Sequence, residues 1–255
     1  MPYIEVNGIK TNYVDEGTGE CILILHGWGA SIETFRPVID YFKNKNRVVA
    51  LDMPGCGKTE EPSAAYCMND YAAFVNTFRE LLGIQNPVLM GHSNGGRTIL
   101  KLFSQNPSYP CKKVILIDAS GIKHKRSFAA SVKLYSYKTV KAVLQCPIWK
   151  KAAAPLLEKA RTKFGSADYQ NSSPVMRRTL VNIVSEDLKY ALPMISVPTL
   201  IFWGDKDEDT PLSDGKMMEK MIPDCGLIVL KGAGHYSYLE KLGEFLRVSD
   251  YFING

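Results

Sequence analysis

The stretch around residue 93 constrains the fold more than any other part of this 255-residue chain. An apolar run at 88–90 leads into Gly91-His92-Ser93-Asn94-Gly95-Gly96, and a segment with helical character follows at 97–103. Small residues two positions either side of the serine are needed where the backbone turns sharply from a strand into a helix, because larger side chains would collide with neighbouring backbone. The pattern predicts a strand, a turn and a helix that hold Ser93 as a candidate nucleophile near the positive end of the helix dipole.

The rest of the chain alternates between strand-like and helix-like segments. Asn7-Gly8 suits a tight turn, which predicts an antiparallel hairpin over residues 4–14. Short apolar runs at 22–25, 48–51 and 114–117 join the run at 88–90, and helical segments such as 74–82 separate them. Such alternation indicates βαβ units and a parallel sheet, whose functional loops lie at the carboxyl ends of the strands.

The alternation stops after Gly121. About seventy residues, up to Leu192, contain apolar spacings typical of helices but no convincing strand, which predicts a helical insertion. Beyond it, the pattern predicts strands at 199–203 and 227–230, a helix around 214–221 and a closing helix over 239–252. The predicted organisation is a first core segment at 1–121, a helical cap insertion at 122–192 and a second core segment at 193–255.

This arrangement of strand, G-x-S-x-G and helix resembles the α/β-hydrolase superfamily, and the resemblance covers essentially the whole chain. It implies an α/β fold with a mostly parallel eight-stranded sheet flanked by helices, together with a helical cap as in esterase-like and lipase-like members. It also implies a chain order in which the nucleophile is followed by an acid after the seventh strand and a histidine after the eighth.

Residues of the required type stand at these later positions. Asp207 lies in 204–211, which is similar to the family's G-x-x-D-x-x-x-P acid loop; Asp118, after the predicted sixth strand, is the second candidate because some relatives take the acid from there. His235 follows the predicted eighth strand, where the family places its catalytic histidine. The resemblance therefore implies a triad of Ser93, His235 and Asp207, in which the acid holds the imidazole in one tautomer.

The same resemblance implies an oxyanion hole and a substrate pocket. His26-Gly27-Trp28-Gly29 matches the H-G-x-G form of the family's oxyanion loop, so the backbone N–H of Trp28 is expected to act with that of Asn94. Such donors contribute about 2.7 to 4 kcal/mol each. The side chains expected to line the pocket are Trp28, His92, Tyr135, Trp149, Met176 and Tyr236.

Composition narrows the classes of partner. Six cysteines are scattered without a C-x-x-C pair, so neither a zinc site nor a disulfide framework is indicated, and no metal or organic cofactor is expected. The net charge of +5 is local, because residues 122–163 hold eleven Lys or Arg against the single acid Glu158. We expect these cations to form a solvated helix face, with attraction of anionic ligands or an acidic membrane surface as the alternative.

Other features bear on location and on nucleic acid. No arrangement of base-stacking aromatics supports nucleic-acid binding. The sequence has no signal-peptide pattern and no apolar run of the ~18 residues that a membrane span needs, so a cytoplasmic protein with no membrane span is expected. The sequence carries no indication of oligomeric state.

The expected reaction is hydrolysis of small or medium carboxylic esters, or lactones, through an acyl-enzyme on Ser93. Carbon–carbon bond hydrolysis and cofactor-free perhydrolysis stay open as alternatives, although carbon–carbon hydrolases of this superfamily commonly carry asparagine where this chain has His92. Dehalogenases and epoxide hydrolases use an aspartate nucleophile, so Ser93 counts against both. A ligand-binding receptor with little turnover is a further alternative, which an intact triad disfavours.

Overall fold

The chain forms one eight-stranded sheet in a computed structural model that describes residues 2–123 and 167–255. The strand order is β1-β2-β4-β3-β5-β6-β7-β8; β2 pairs antiparallel with β1 and β4, and the pairs from β4 onward are parallel. The mostly parallel eight-stranded sheet expected from the resemblance is thus confirmed. The strands are β1 (Tyr3–Val6), β2 (Ile9–Glu16), β3 (Cys21–Leu25), β4 (Arg47–Leu51), β5 (Val88–His92), β6 (Lys113–Ile117), β7 (Thr199–Gly204) and β8 (Cys225–Leu230).

Helices cover both faces of the sheet. The described α-helices are α1 (Arg36–Phe42), α2 (Met68–Leu81), α3 (Asn94–Gln105), α4 (Ala167–Asn171), α5 (Pro174–Ser185), α6 (Leu212–Met221), α7 (Ser237–Glu240) and α8 (Leu242–Asn254). Successive strand residues point to opposite faces, so Leu89 packs with α2, α3 and α6 in one apolar core while Met90 packs with α1 and α8 in the other. Such burial on both faces explains why the central strands are continuous apolar runs.

Local sequence signals explain where several elements begin and end. The predicted hairpin turn is present, with Asn7 and Gly8 both at positive φ. Helix α2 starts earlier than the predicted 74–82, because the Asp70 carboxylate accepts a 2.7 Å hydrogen bond from the Cys67 N–H and caps the helix there. The closing helix predicted over 239–252 is present as α8, but it starts only at Leu242: the backbone leaves helical geometry at Lys241 (φ −123°, ψ 42°), which separates α7 from α8.

The segment predicted as a cap is described in part. Helices α4 and α5 and the 3-10 helix Lys189–Met194 belong to it, and the Thr179 hydroxyl on α5 accepts a 2.9 Å hydrogen bond from the Tyr66 N–H of the core. The helical cap over 122–192 stays a prediction, because 124–166 lie outside the described residues, as do the predicted pocket residues Tyr135 and Trp149. Within the described ranges, no helix has the length and apolarity needed to cross a membrane.

Candidate active site

Ser93 occupies a sharp turn between β5 and α3. Its φ of 49° lies in the left-handed region, which costs a residue with a side chain about 1–3 kcal/mol. The flanking glycines make this turn possible: a Cβ on Gly91 would lie 2.7 Å from the Gly96 nitrogen, and a Cβ on Gly95 would overlap the Leu25 carbonyl oxygen. The turn therefore holds Ser93 at the carboxyl edge of the sheet.

The structure brings Ser93, His235 and Asp207 into one hydrogen-bonded line. His235 Nε2 lies 3.0 Å from Ser93 Oγ, and His235 Nδ1 lies 2.8 Å from Asp207 Oδ2. Asp207 stands in the loop after β7 and His235 in the loop after β8, so neighbouring parallel strands deliver both groups to the same edge. This arrangement allows a neutral imidazole to donate from Nδ1 to the carboxylate and accept at Nε2 from the hydroxyl.

The Asp207 carboxylate is held by its own loop as well as by His235. Its Oδ1 accepts from the N–H groups of Asp209 and Thr210 at 2.8 and 2.9 Å, and its Oδ2 lies 2.7 Å from the Thr210 hydroxyl. Burial raises the pKa of Asp207, but the bonds from His235 and Thr210 outweigh it, so the net pKa is lowered. Burial in turn lowers the pKa of His235, and the bond and charge of Asp207 raise it more, so its net pKa is raised. Asp207 is therefore ionised at neutral pH.

Asp118, the second candidate acid, has different partners. Its Oδ1 accepts from the Gly204 N–H at 2.8 Å, and its Oδ2 accepts from the N–H and hydroxyl of Ser237 at 3.1 and 2.6 Å. Burial raises the pKa of this carboxyl to about 7, despite the hydrogen bonds from Ser237 and Gly204 that lower it. These contacts tie β6, β7 and α7 together, and His235 hydrogen-bonds to Asp207 instead.

The two backbone amides predicted as the oxyanion hole lie beside Ser93. Trp28 follows β3, Asn94 is the first residue of α3, and both line the same cavity as Ser93. Among the described residues, no backbone acceptor is bonded to the Trp28 N–H. Trp28 and Asn94 therefore stay the candidates for the oxyanion hole.

His92, a predicted pocket residue, contacts His235. Its Nε2 donates to the His235 carbonyl oxygen at 2.8 Å, and only 1% of the residue is exposed. Burial, together with the nearby His235, lowers the pKa of His92 to about 3. His92 is thus a neutral side chain that supports the backbone of His235.

A cavity of about 500 Å³ adjoins Ser93 and His235. Of the predicted pocket residues, Trp28, His92 and Tyr236 line it. Met176 instead lines a second cavity of about 290 Å³, which Trp28 also borders. The apolar walls of the 500 Å³ cavity beside Ser93 come from Ile122, Leu180, Ile183 and Val184.

Two polar residues of the site were missed by the sequence reasoning. Thr210, which binds Asp207, stands only three residues after it in the acid loop. Arg97, which also lines the cavity, stands four residues after Ser93 and so lies one helical turn further along α3. Spacing alone could have drawn attention to both.

Known proteins resemble this chain over nearly its full length. The AB hydrolase superfamily protein YisY of Bacillus subtilis is 25% identical over 94% of this chain and 94% of its own length. The 2-hydroxy-6-oxo-6-phenylhexa-2,4-dienoate hydrolase of Comamonas testosteroni is 26% identical over 98% of this chain and 93% of its own. The solved esterase EaEST from Exiguobacterium antarcticum superposes with a TM-score of 0.79 at 24% identity, over 99% of each chain.

A family pattern decides the assignment. The pattern of the alpha/beta hydrolase fold matches residues 20–242, which span the strands β3 to β8, the turn at Ser93 and both loops that carry Asp207 and His235. The chain belongs to the alpha/beta hydrolase fold family.

Proposed function

We propose that this chain is a serine hydrolase that cleaves small or medium carboxylic esters, or lactones, through an acyl-enzyme on Ser93. The observation that carries the proposal is the unbroken line from Ser93 Oγ through His235 to Asp207, with distances of 3.0 and 2.8 Å, beside a cavity. A serine hydroxyl is a weak nucleophile unless a base takes its proton, and this line supplies the base and the group that orients it.

In the acylation step, His235 Nε2 takes the Ser93 hydroxyl proton while Oγ forms a bond to the ester carbonyl carbon. The carbonyl electron pair moves onto oxygen, and the N–H groups of Trp28 and Asn94 donate to the resulting oxyanion. When the carbonyl re-forms, the bond to the alcohol oxygen breaks and the His235 proton passes to that oxygen. Asp207 stabilises the imidazolium that exists between the two proton transfers.

Deacylation repeats these steps with water. His235 takes a proton from a water molecule that attacks the acyl carbon, the same amides hold the second oxyanion, and the proton returns to Ser93 Oγ as the acid leaves. A cavity of about 500 Å³ with apolar side chains on its walls suits an acyl group of small or medium size.

Carbon–carbon bond hydrolysis is the second candidate. The specific observation in its favour is the similarity to the Comamonas testosteroni hydrolase, at 26% identity over 98% of this chain. Against it stands His92, whose side chain supports the His235 carbonyl at the position where such enzymes commonly carry asparagine.

Two measurements test the proposal. A fluorophosphonate probe should label wild-type protein and leave Ser93→Ala unlabelled, with labelling assigned to the residue by peptide mass spectrometry. A panel of p-nitrophenyl esters of increasing acyl length, with several lactones, should then show turnover that falls once the acyl chain outgrows the cavity. Absence of label on folded wild-type protein would favour a binding protein; label without turnover across the panel would favour carbon–carbon hydrolysis.

A further inference from the structure

Arg97 is a buried cation in the wall of the candidate active site. It lies in the first turn of α3, where its N–H donates to the Ser93 carbonyl oxygen at 3.0 Å, and only 6% of the residue is exposed. A buried charge is costly unless a group of opposite charge or several hydrogen bonds compensate it. The partners of this guanidinium therefore indicate its role.

The described partners of the Arg97 side chain are all neutral oxygens. Nε donates to the Ser120 hydroxyl at 3.2 Å, and Nη1 donates to the carbonyl oxygens of Ile183 and Glu186 at 2.8 and 2.9 Å. The charges of Glu186 and Asp187 act on Arg97, but the Glu186 carboxylate accepts a 2.6 Å bond from Lys101. Among the described residues, no carboxylate bonds to the guanidinium and no acceptor is bonded to its Nη2.

Arg97 lies next to the turn that carries Ser93. Ser120, its side-chain partner, donates its backbone N–H to the Ser93 carbonyl oxygen at 3.1 Å, so the Arg97 and Ser120 pair adjoins the nucleophile turn. Both residues line the cavity that Ser93 and His235 line. Burial lowers the pKa of Arg97 to about 10, which leaves it charged at neutral pH.

The cavity is also electrically asymmetric. Its acidic lining residues, Asp209 and Asp214, belong to the loop and helix that follow β7, whereas Arg97 contacts Ser120 and the carboxyl end of α5. An anionic group of a substrate would be repelled on the side of Asp209 and Asp214 and attracted on the side of Arg97. Arginine suits this task because its planar N–H groups match the geometry of a carboxylate.

We propose that Arg97, with Ser120, binds a carboxylate of the substrate, so that the preferred substrates are monoesters or lactones of dicarboxylic acids. The inference rests on the proposed hydrolase function and names the substrate class for that site. The carboxylate binds at Nη2 and the Ser120 hydroxyl while the ester carbonyl lies at Ser93.

The test compares monomethyl esters of succinic, glutaric and adipic acid with matched compounds in which a carboxamide replaces the free carboxylate. Product acid is measured by chromatography. Wild-type protein should favour the carboxylate at one chain length, by about tenfold or more in kcat/KM. Arg97→Met should lose that preference while still cleaving the carboxamide, and Arg97→Lys should retain part of it.

Lys101→Met is the matched control, since Lys101 is a second buried cation one turn further along α3 that bonds to Glu186 and does not line the described cavity. This variant should keep the preference of the wild type. Because Arg97 also binds two carbonyl oxygens of the segment around α5, Arg97→Met is compared only after its circular dichroism and melting temperature are measured.

A binding readout on wild-type protein covers the case in which Arg97→Met does not fold. Adipate should protect Ser93 from the fluorophosphonate probe more strongly than adipamide, and rising salt should reduce this difference. Equal protection by adipate and adipamide, or equal cleavage of the acids and the carboxamides by the wild type, would overturn the proposed role of Arg97. Labelling of Ser93 in the same experiment would still support the proposed hydrolase function. Failure of the wild type to label at all overturns both.

Discussion

Replacing Asp207 by asparagine should greatly lower kcat by changing the tautomer of His235. The native carboxylate accepts from two backbone N–H groups through Oδ1 and from His235 Nδ1 through Oδ2. In Asp207→Asn, the amide oxygen fits the Oδ1 position because the N–H groups of Asp209 and Thr210 require an acceptor. The amide NH₂ then faces His235 Nδ1.

An NH₂ group at that place requires Nδ1 to act as the acceptor. The imidazole proton then moves to Nε2, where it points at Ser93 Oγ across the 3.0 Å contact, and the base has no lone pair for the serine proton. A triad with the wrong tautomer loses about ten-thousandfold in kcat, which is about 5.4 kcal/mol of transition-state stabilisation. Folding should be little affected, because the side chain keeps its volume and its two backbone donors.

Asp118→Asn is the matched control. Asp118 is also a buried acid at the carboxyl edge of the sheet, but its bonds go to Gly204 and Ser237. Asparagine can keep only part of these bonds, so we expect a lower melting temperature and kcat within about tenfold of the wild type. Both variants are assayed for kcat on p-nitrophenyl butyrate, with circular dichroism as the check on folding. A larger loss of kcat at Asp118 than at Asp207 would refute the assignment of the acid.

Three further predictions concern the same site. The kcat/KM of the wild type should fall as acid protonates His235, with a midpoint above 6.5 because Asp207 raises its pKa more than burial lowers it; a midpoint below 6.5 would contradict the Asp207 contact. Gly95→Ala should give little folded protein on expression, since its Cβ would overlap the Leu25 carbonyl oxygen, whereas Gly243→Ala, which has open space, should fold normally. His92→Ala should lower kcat by leaving the buried His235 carbonyl without a donor, and His92→Asn should recover part of the loss if its amide reaches that oxygen; equal activity of the two variants would argue against this role.

The core of the fold follows from local sequence signals. Continuous apolar runs predicted the strands around Leu23, Val49 and Leu89 because a parallel sheet covered on both faces tolerates little else. Gly91 and Gly95 predicted the sharp turn because their surroundings leave no room for a Cβ. The order of residues along the chain then predicted His235 as the base and Asp207 as the acid, with Asp118 second, and His235 Nδ1 lies 2.8 Å from Asp207 in the structure.

Other features depend on contacts between distant segments and were beyond local patterns. The proposed role of Arg97 depends on Ser120, Ile183 and Glu186, which stand 23 to 89 positions away in the chain. Met176 has the apolar character of a pocket residue, but the direction of α5 sends its side chain towards Gly55 and the second cavity. The break at Lys241 lies two residues before Gly243, but a glycine inside a helical pattern does not by itself mark where one helix ends and the next begins.

The long segment between β6 and β7 has a practical consequence for protein engineering. The proposed catalytic groups are carried by the connections after β5, β7 and β8, whereas the apolar walls of the cavity come from Ile122 at one end of 122–192 and from Leu180 and Ile183 near the other. A chimaera that exchanges residues 122–187 for those of a homologue should alter which substrates are accepted while leaving the proposed catalytic groups in place. The junctions would fall beside Gly121 and Leu188, whose backbone hydrogen bond of 2.8 Å already brings the two splice points together.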